Sequence, residues 1–484
     1  MRMFAVGPAS VTINQDGLNT TVSGTGILTL RDVYIKGFHV KGGDGGAGGG
    51  GGMGAGGAIY VQDGALVVEN STFDSNRAVG GNGGAGGYGG GGGIWGSGGG
   101  TGPFGGGGGG GSKGNGGKGD AGGGGGTVFS GGRSGVGGPG GYLFGGQGGN
   151  NGQVGQGPGG GGGGGTIYVC VPGTGEECNG NGGNGAYAGG GGGGPGDGGV
   201  GGVGGGGGAG GVGNGGNGGF GGGGGSALSP GNGGAFGGHA DPENGGGGAG
   251  LGGAIFSDGV GVTIRNSTFY NNSAAQGLAN TAACNCGSPA SNGDGVGGAV
   301  FSRNGSLTLV DVTISGNQSS GTGGVTGSGG GVVVYSDSSA AFTIQDTLLA
   351  NNGASECFFT GNVTTSGVGN LVMSNGSGTP PFGACPGVVA TADPQLQALE
   401  PASVNGGKTP TMAIPLFSSA MGVADPGTSL PSDQHNADRP QPDKSPRNGY
   451  DIGAFTVCRR VDPTGIRPWF CSETHLGTLP PTTT

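Results

Sequence analysis

Among the charged residues of this 484-residue sequence, five aspartates and two arginines are the candidates for catalysis on a polysaccharide. Glycosidases pair two carboxylates as acid and base or nucleophile, and other such sites pair acidic calcium ligands with a basic residue. The candidates are Asp74, Asp258, Asp311, Asp337 and Asp346, with Arg265 and Arg303. They are scattered, and Asp258 stands in an Asp-Gly turn, which explains it without catalysis. We therefore predict no catalytic residue and keep a polysaccharide-active enzyme as an alternative.

The densest charged region lies near the C-terminus. It contains Asp433, Asp438, Arg439, Asp443, Lys444 and Asp451, for which we expect structural ion pairing. The four histidines are scattered, and Cys284-Asn285-Cys286 has no histidine nearby, so we predict no metal site and no cofactor.

Eight cysteines fall into four local pairs. The pairs are Cys170 with Cys178, Cys284 with Cys286, Cys357 with Cys385, and Cys458 with Cys471. An even number at short spacing favours disulfides and an oxidising compartment.

The elements that must position these residues are marked by a repeat. An entry of two glycines, a small residue and an aliphatic residue is followed by an exit of an apolar residue, two further residues and asparagine. From the third entry residue to the apolar exit residue, three copies span 15 positions (58 to 73, 254 to 269, 299 to 314) and a fourth spans 17 (331 to 348). A conserved spacing with varied residues between is typical of a stacked repeat.

Between entry and exit, short runs of alternating apolar and polar residues end in Asp-Gly or Asn-rich turns, which predicts strands. One unit has the length of one coil, and a lone coil cannot bury its inner face. We predict an all-β fold, a right-handed parallel β-helix. The exit asparagines Asn76, Asn272, Asn317 and Asn351 are expected to turn a corner, because asparagine tolerates left-handed backbone, and to stack in a ladder.

A glycine-rich insert separates the first coil from the second. In it, Gly-Gly-X triplets keep their phase, as at Asn214, Asn217 and Phe220. A period of three matches an extended helix with about 3 residues per turn, so we predict a polyglycine-II-like module on one flank; a flexible linker is the alternative. Exposed aromatic residues of the module are the predicted binding residues: Tyr88, Trp95, Tyr142, Phe220 and Phe236.

Composition limits the partners. Glycine is 150 of 484 residues, and the net charge of -10 leaves no basic cluster for nucleic acid. No apolar run approaches the roughly 20 residues of a membrane span, and neither a signal peptide nor an anchor is visible. We expect a secreted or cell-surface protein whose partners are a surface glycan, a protein or another copy of the chain.

Several motifs resemble known groups. Gly56-Gly57-Ala58-Ile59 with Phe73-Asp74-Ser75-Asn76 resembles the repeats of polymorphic outer-membrane-protein adhesins. Residues 9 to 457 resemble secreted bacterial right-handed β-helix proteins of the choice-of-anchor type. The motifs that carry this second resemblance are Gly369-Asn370-Leu371 between Cys357 and Cys385, Asp393-Pro394-Gln395-Leu396, Asn405-Gly406-Gly407-Lys408, and Asp451-Ile452-Gly453-Ala454-Phe455. The resemblance implies a secreted or surface-exposed protein with a C-terminal cap.

The sequence therefore divides into five parts. We expect β-helix coils at 1–78, the glycine-rich insert at 79–251, further coils at 252–392, a cap at 393–457, and a cysteine-paired tail at 458–484. The expected function is non-enzymatic: an adhesin-like binding protein or structural scaffold. A self-assembling filament subunit is a further alternative.

Overall fold

The structure is a computed structural model. It describes residues 4–6, 9–15, 18–24, 26–102, 105–111, 114–119, 152–155, 159–169, 177–280, 288–320, 328–353, 355–376, 384–415, 417–439, 449–457, 459–462 and 465–468.

The described residues are almost entirely strands and connections. The strands before the glycine insert are β1 Phe4–Val6, β2 Ala9–Gln15, β3 Leu18–Gly24, β4 Ile27–Arg31, β5 Tyr34–Lys36, β6 His39–Lys41, β7 Gly54–Ala55, β8 Ile59–Val61, β9 Ala65–Glu69, β10 Thr72–Asp74 and β11 Arg77–Val79. Those within and after it are β12 Ile167–Val169, β13 Glu177–Asn179, β14 Gly250–Leu251, β15 Ile255–Asp258, β16 Gly261–Arg265, β17 Thr268–Tyr270, β18 Ser273–Ala275, β19 Gly295–Val296, β20 Val300–Arg303, β21 Ser306–Val310, β22 Thr313–Ser315, β23 Gln318–Ser320, β24 Ser328–Gln345, β25 Leu348–Ala350, β26 Ser355–Val368, β27 Asn370–Val372 and β28 Val388–Ala390. The C-terminal part has β29 Leu399–Glu400, the short helix α1 Ala402–Asn405, β30 Thr411–Met412, β31 Arg459–Asp462 and β32 Gly465–Pro468.

The repeat strands stack in parallel sheets. One sheet has the order β28-β27-β25-β22-β17-β10-β5, another β23-β18-β11-β6, and a third β19-β14-β7. The largest sheet has ten strands, and its pairings among successive repeats, such as β9 with β16 and β16 with β21, are also parallel. The chain passes through these sheets in turn, and each circuit adds one strand to each sheet. The protein is therefore all-β, with a solenoid-like stack of parallel strands.

Apolar side chains fill the inside of the stack. Strand alternation places Leu66 and Val68 of β9 inward, both fully buried. Phe73 pairs in register with Phe269, and their rings stack with centroids 4.7 Å apart. Corresponding positions therefore repeat one residue class from circuit to circuit, which is the pattern that the entry and exit spacing predicts.

A ladder of buried asparagine side chains runs along one edge of the stack. Asn76 Nδ2 donates to Asn272 Oδ1 at 2.9 Å, Asn272 Nδ2 to Asn317 Oδ1 at 2.9 Å, and Asn317 Nδ2 to Asn352 Oδ1 at 2.8 Å. The ladder residues do not take left-handed backbone. The residue before each one does so instead: Ser75, Asn271, Gly316 and Asn351 have φ between 53° and 68°.

Asn351 therefore takes the left-handed corner predicted for it, but its predicted ladder position is wrong by one residue, since Asn352 holds that position. Val300 pairs with Val332 and Ile314 with Leu349, so the fourth circuit runs from 331 to 349 where the third runs from 299 to 314. The additional residues follow Ser336, where β24 shifts register against β26. Leu348, which the spacing selected, instead packs on the outside against the C-terminal segment.

Glu356 ends the ladder and yields a pH prediction. Its carboxylate accepts from Asn352 Nδ2 at 2.6 Å, and burial raises the pKa of Glu356 from 4.5 to about 7. With the folded pKa raised, its stabilising contribution is full below about pH 4.5 and is lost as pH rises through 7. Wild type should therefore lose stability relative to Glu356→Gln as pH rises. We expect the difference in unfolding free energy, wild type minus variant, to fall by on the order of 2 kcal/mol between pH 5 and pH 9. Chemical unfolding at both pH values measures it, and a difference that does not change with pH would contradict the assignment.

Three inserts leave the stack at the same position of the circuit, and their described residues join into one glycine module. They follow β6, β11 and β18 and end at β7, β14 and β19, so the long insert occupies 80–249, slightly less than the predicted 79–251. The segment 48–53 lies inside this module. Its hydrogen-bonded neighbours are the six segments 42–46, 80–84, 89–93, 204–208, 221–225 and 245–248, as in Gly50 N to Gly207 O at 2.8 Å.

The C-terminal segment, residues 393–457, lies along the side of the stack. Gln434 accepts from Thr268 Oγ1 and donates to Thr72 Oγ1, while Ala454 N donates to Thr313 Oγ1. These contacts span successive circuits. The predicted cap segment therefore supports the stack laterally, and its buried side chains include Ile414, Met421, Ile452 and Phe455 against Leu348 and Leu371.

One predicted disulfide lies among the described side chains. Cys357 and Cys385 are bonded, with Cα atoms 5.5 Å apart. The other predicted pairs involve side chains outside the described residues: Cys170 with Cys178, Cys284 with Cys286, and Cys458 with Cys471. Most of the predicted tail at 458–484 also lies outside the described residues.

Candidate binding surface

The outer layer of the glycine module explains why asparagine recurs in its triplets. Asn184 Oδ1 accepts from Val200 N at 2.8 Å, and Asn217 Oδ1 accepts from Asn232 N at 2.8 Å. A backbone N–H group in the outermost layer has no further layer whose carbonyl could accept its hydrogen bond, and an unpaired backbone N–H is costly. The Asn side chain of the adjacent segment supplies that missing acceptor.

These side chains form a regular surface, which we call the asparagine face: the first two X residues of each of the segments 181–187, 197–203, 214–220 and 229–235. Carbonyl bonds hold the segments in register, as in Gly201 N to Asn217 O and Gly218 N to Asn232 O, both at 2.9 Å. Asn184, Asn217 and Asn232 are exposed, and Val200 is 42% exposed. The face is thus a fixed array of short side chains: Asn184 and Asn217 use their oxygens to accept backbone N–H groups, which leaves their amide nitrogens to offer N–H donors, whereas Asn214 Nδ2 donates to Asp197 Oδ1.

The opposite side of the module uses the same device. Asp44 Oδ1 accepts from Asn82 N at 2.7 Å, and Asn82 Oδ1 accepts from Leu278 N at 3.0 Å. Asn115 Oδ1 accepts from Ser97 N at 2.9 Å. The segments between the two outer layers are runs of glycine. A pure glycine run in the sequence therefore corresponds to an inner layer, and a Gly-Gly-X run corresponds to an outer layer.

The last X residue of a triplet segment has a different role from the first two. Tyr187, Val203 and Phe220 pack against the outer side chains of the strand stack, where Phe256 and Phe301 are fully buried. Stacked rings continue along this junction, with Tyr60 and Phe256 5.1 Å and Phe256 and Phe301 5.6 Å apart. This buried cluster fixes the module to the stack.

The predicted binding aromatics are consequently anchors in most cases. Phe220 is only 8% exposed, and the half-buried Phe236 packs edge-on against Phe301 at 5.5 Å, so both rings pack against the stack. Trp95 also packs against this cluster, while Tyr88 is partly exposed. Tyr142 lies outside the described residues. The phase of the triplets predicts which edge carries X but not which end of the segment meets the stack, so the sequence alone allows Phe220 either to face outward or to pack against the β-helix flank.

A polar network closes the same junction. Tyr60 and Tyr187 share a hydrogen bond of 2.6 Å, and Tyr187 donates to Asp258 Oδ2 at 3.0 Å. Arg303 Nη1 reaches Asp258 at 3.1 Å, and its guanidinium lies 4.3 Å from the centre of the Phe220 ring. Burial raises the pKa of Asp258 although Arg303 opposes that shift. The Asp258 carboxylate is therefore occupied by structural contacts and is not open to a substrate.

The other candidate carboxylates are engaged as well. Asp74 pairs with Lys36 at 2.9 Å and accepts from Tyr34, and Asp337 pairs with Arg303. Asp346 accepts from Thr428 Oγ1 at 2.7 Å and from Asp425 N at 2.6 Å. Asp311 pairs with Arg439 inside the junction with the C-terminal segment. Asn70, Asn266, Asp311 and Asp346 all have left-handed backbone at the same corner of successive circuits. They form a column on which the C-terminal segment docks, and the repeat spacing did not predict it.

Neither a metal cluster nor a membrane-spanning helix is found in the described part of the chain. Within it, no group of three His, Cys, Asp or Glu side chains is arranged to hold a metal ion. No helix there has the length and apolar character to cross a membrane. The chain matches no family model, no curated protein and no solved structure.

Proposed function

We propose that this chain is an extracellular, non-enzymatic binding scaffold of adhesin-like type, with the asparagine face as its contact surface. The fold proposed is a right-handed parallel β-helix carrying a polyglycine-II-like module on one flank. Support comes from the parallel register of the circuits and from the three-residue phase of the hydrogen-bonded glycine segments. The Cys357–Cys385 disulfide suits an oxidising, extracellular space.

The single observation that carries the binding proposal is the order of the asparagine face. The backbone at Val200 and Asn217 is held in place because Val200 O accepts from Gly185 N and Asn217 O accepts from Gly201 N, so a ligand need not order a loop. Along one segment, three residues advance about 9 Å, so side chains repeat at a fixed interval. A periodic array of short side chains with outward N–H donors suits a periodic, acceptor-rich partner, and we infer a polysaccharide surface.

An enzyme is the less supported alternative. Asp74, Asp258 and Asp337 each hold an ion pair, and Asp311 and Asp346 bind the C-terminal segment. A catalytic pair would need two carboxylates facing a common substrate position.

Cosedimentation of the full chain with insoluble cellulose, chitin and peptidoglycan tests the proposal. Val200→Glu adds bulk and charge to the asparagine face without removing a backbone hydrogen bond, and it should reduce binding about tenfold. Val389→Glu is the matched control, because Val389 is 56% exposed and lies on β28, away from the module. Equal binding by the two variants, or no retention of wild type on any of the three, would overturn the polysaccharide assignment.

A further inference from the structure

A basic pocket lies where the first circuits meet the C-terminal segment. It is open, has a volume of about 350 Å³, and is lined on one side by the ends of β4, β9 and β16 and on the other by residues 430–432, Asn436 and Lys408. The in-register pairing of the three strands brings Arg31, Glu69 and Arg265 side by side. The pocket belongs neither to the glycine module nor to the asparagine face.

The pocket presents cations outward and keeps its carboxylates behind them. Arg31 pairs with Glu69, which Arg265 also approaches at 3.7 Å, and Lys408 Nζ lies 2.6 Å from Asp32. The side chains of Arg31, Arg265 and Lys408 are 63%, 46% and 63% exposed, whereas those of Glu69 and Asp32 are 20% and 19% exposed. Three cations against two recessed carboxylates make a positive site in a chain of net charge -10.

We propose that this pocket binds a uronic acid residue of an acidic polysaccharide. The exposed guanidinium groups can take a carboxylate through paired N–H donors, a geometry that suits arginine. Asn70, Ser432 and Asn436 supply amide and hydroxyl groups for sugar hydroxyls, and Pro431 supplies an apolar surface for a sugar ring. The volume stands at the lower end of small-ligand pockets, as a site for one or two sugar units requires.

The pocket is also held in place. Asn266 Nδ2 donates to Ser432 O at 2.9 Å, and Thr409 Oγ1 donates to Asn70 O at 2.9 Å. These bonds join the strand ends to the C-terminal segment on both sides of the opening. A ligand therefore meets a preformed site, which reduces the entropy lost on binding.

Isothermal titration of the full chain with trigalacturonate tests the proposal. We expect binding that weakens with added salt, because exposed charges are screened, and no binding of neutral galactotriose. Arg265→Gln should weaken binding about tenfold, and its 3.7 Å ion pair contributes little to folding. Lys408→Met should also weaken binding, while Arg77→Gln, at an exposed arginine of β11 outside the pocket, should not.

Three results would overturn the proposal. They are no binding of trigalacturonate to wild type, equal affinity for galactotriose, and equal affinity of Arg265→Gln and Arg77→Gln. Binding of inorganic sulfate as tight as that of trigalacturonate would replace the sugar assignment with a simple anion site. Since Val200→Glu leaves this pocket unchanged, failure here and failure of the asparagine face are distinguishable.

Discussion

Replacing Gly206 by alanine is expected to disrupt the glycine module. An alanine Cβ there would lie 2.0 Å from Gly50 O and 2.4 Å from Gly50 C, well inside van der Waals contact. Gly206 cannot shift freely, because it donates to Gly92 O at 2.7 Å and accepts from Gly191 N at 3.0 Å. Overpacking against fixed backbone, together with lost hydrogen bonds, should cost more than about 3 kcal/mol.

Gly100→Ala is the matched control for this prediction. A Cβ at Gly100 would meet no atom within 4 Å, so alanine should be neutral or stabilise by up to about 1 kcal/mol through the unfolded state. Thermal unfolding and hydrogen exchange of both variants measure the difference. Equal tolerance of alanine at the two positions would show that the glycine segments are not packed as described.

Replacing Arg439 by methionine is expected to detach the C-terminal segment from the stack. The side chains of Arg439 and Asp311 are fully buried, and Arg439 also donates to Asp451 O at 3.2 Å and to Gly453 O. Removing one partner of a buried ion pair leaves an uncompensated charge and should cost about 3–5 kcal/mol. Urea unfolding monitored at the C-terminal segment gives the value.

The pH dependence of this variant identifies the cause. Burial already raises the pKa of Asp311 to about 6 beside Arg439, and loss of the arginine should raise it further. Its stabilising contribution is full below the unfolded pKa and is lost as pH rises through the folded pKa, so Arg439→Met should be less destabilised at pH 5 than at pH 8. Adding Asp311→Asn should recover part of the loss. A loss under about 1 kcal/mol, or the same loss at both pH values, would contradict this role.

The sequence predicts the stack well because its repeat preserves spacing. Equal distances between Ala58 and Phe73 and between Ala254 and Phe269 correspond to in-register strands. The fourth circuit was misaligned because extra residues after Ser336 lengthen it, and a run such as Leu348-Leu349-Ala350 offers two equally apolar candidates for the inner position.

The module was harder to predict because glycine carries no side chain to mark its layer. Residues 48–52 and 105–111 are both pure glycine, so composition does not show that the first segment lies among six neighbours that include residues nearly 200 positions away. The burial of Phe220 could have been found from one signal. Polar X residues come first in each triplet segment and apolar ones last, as in Asn214, Asn217 and Phe220.

Hydrogen exchange of the glycine amides in 180–249, measured on the oxidised full chain, tests the packed module most directly. Amides such as Gly206 N and Gly223 N donate at 2.7 and 2.8 Å inside the module, so we predict protection comparable to that of the core strands β16 and β17. Complete exchange of these amides within the dead time, with β16 and β17 still protected, would mean that the segment is a flexible tether and that no ordered asparagine face exists.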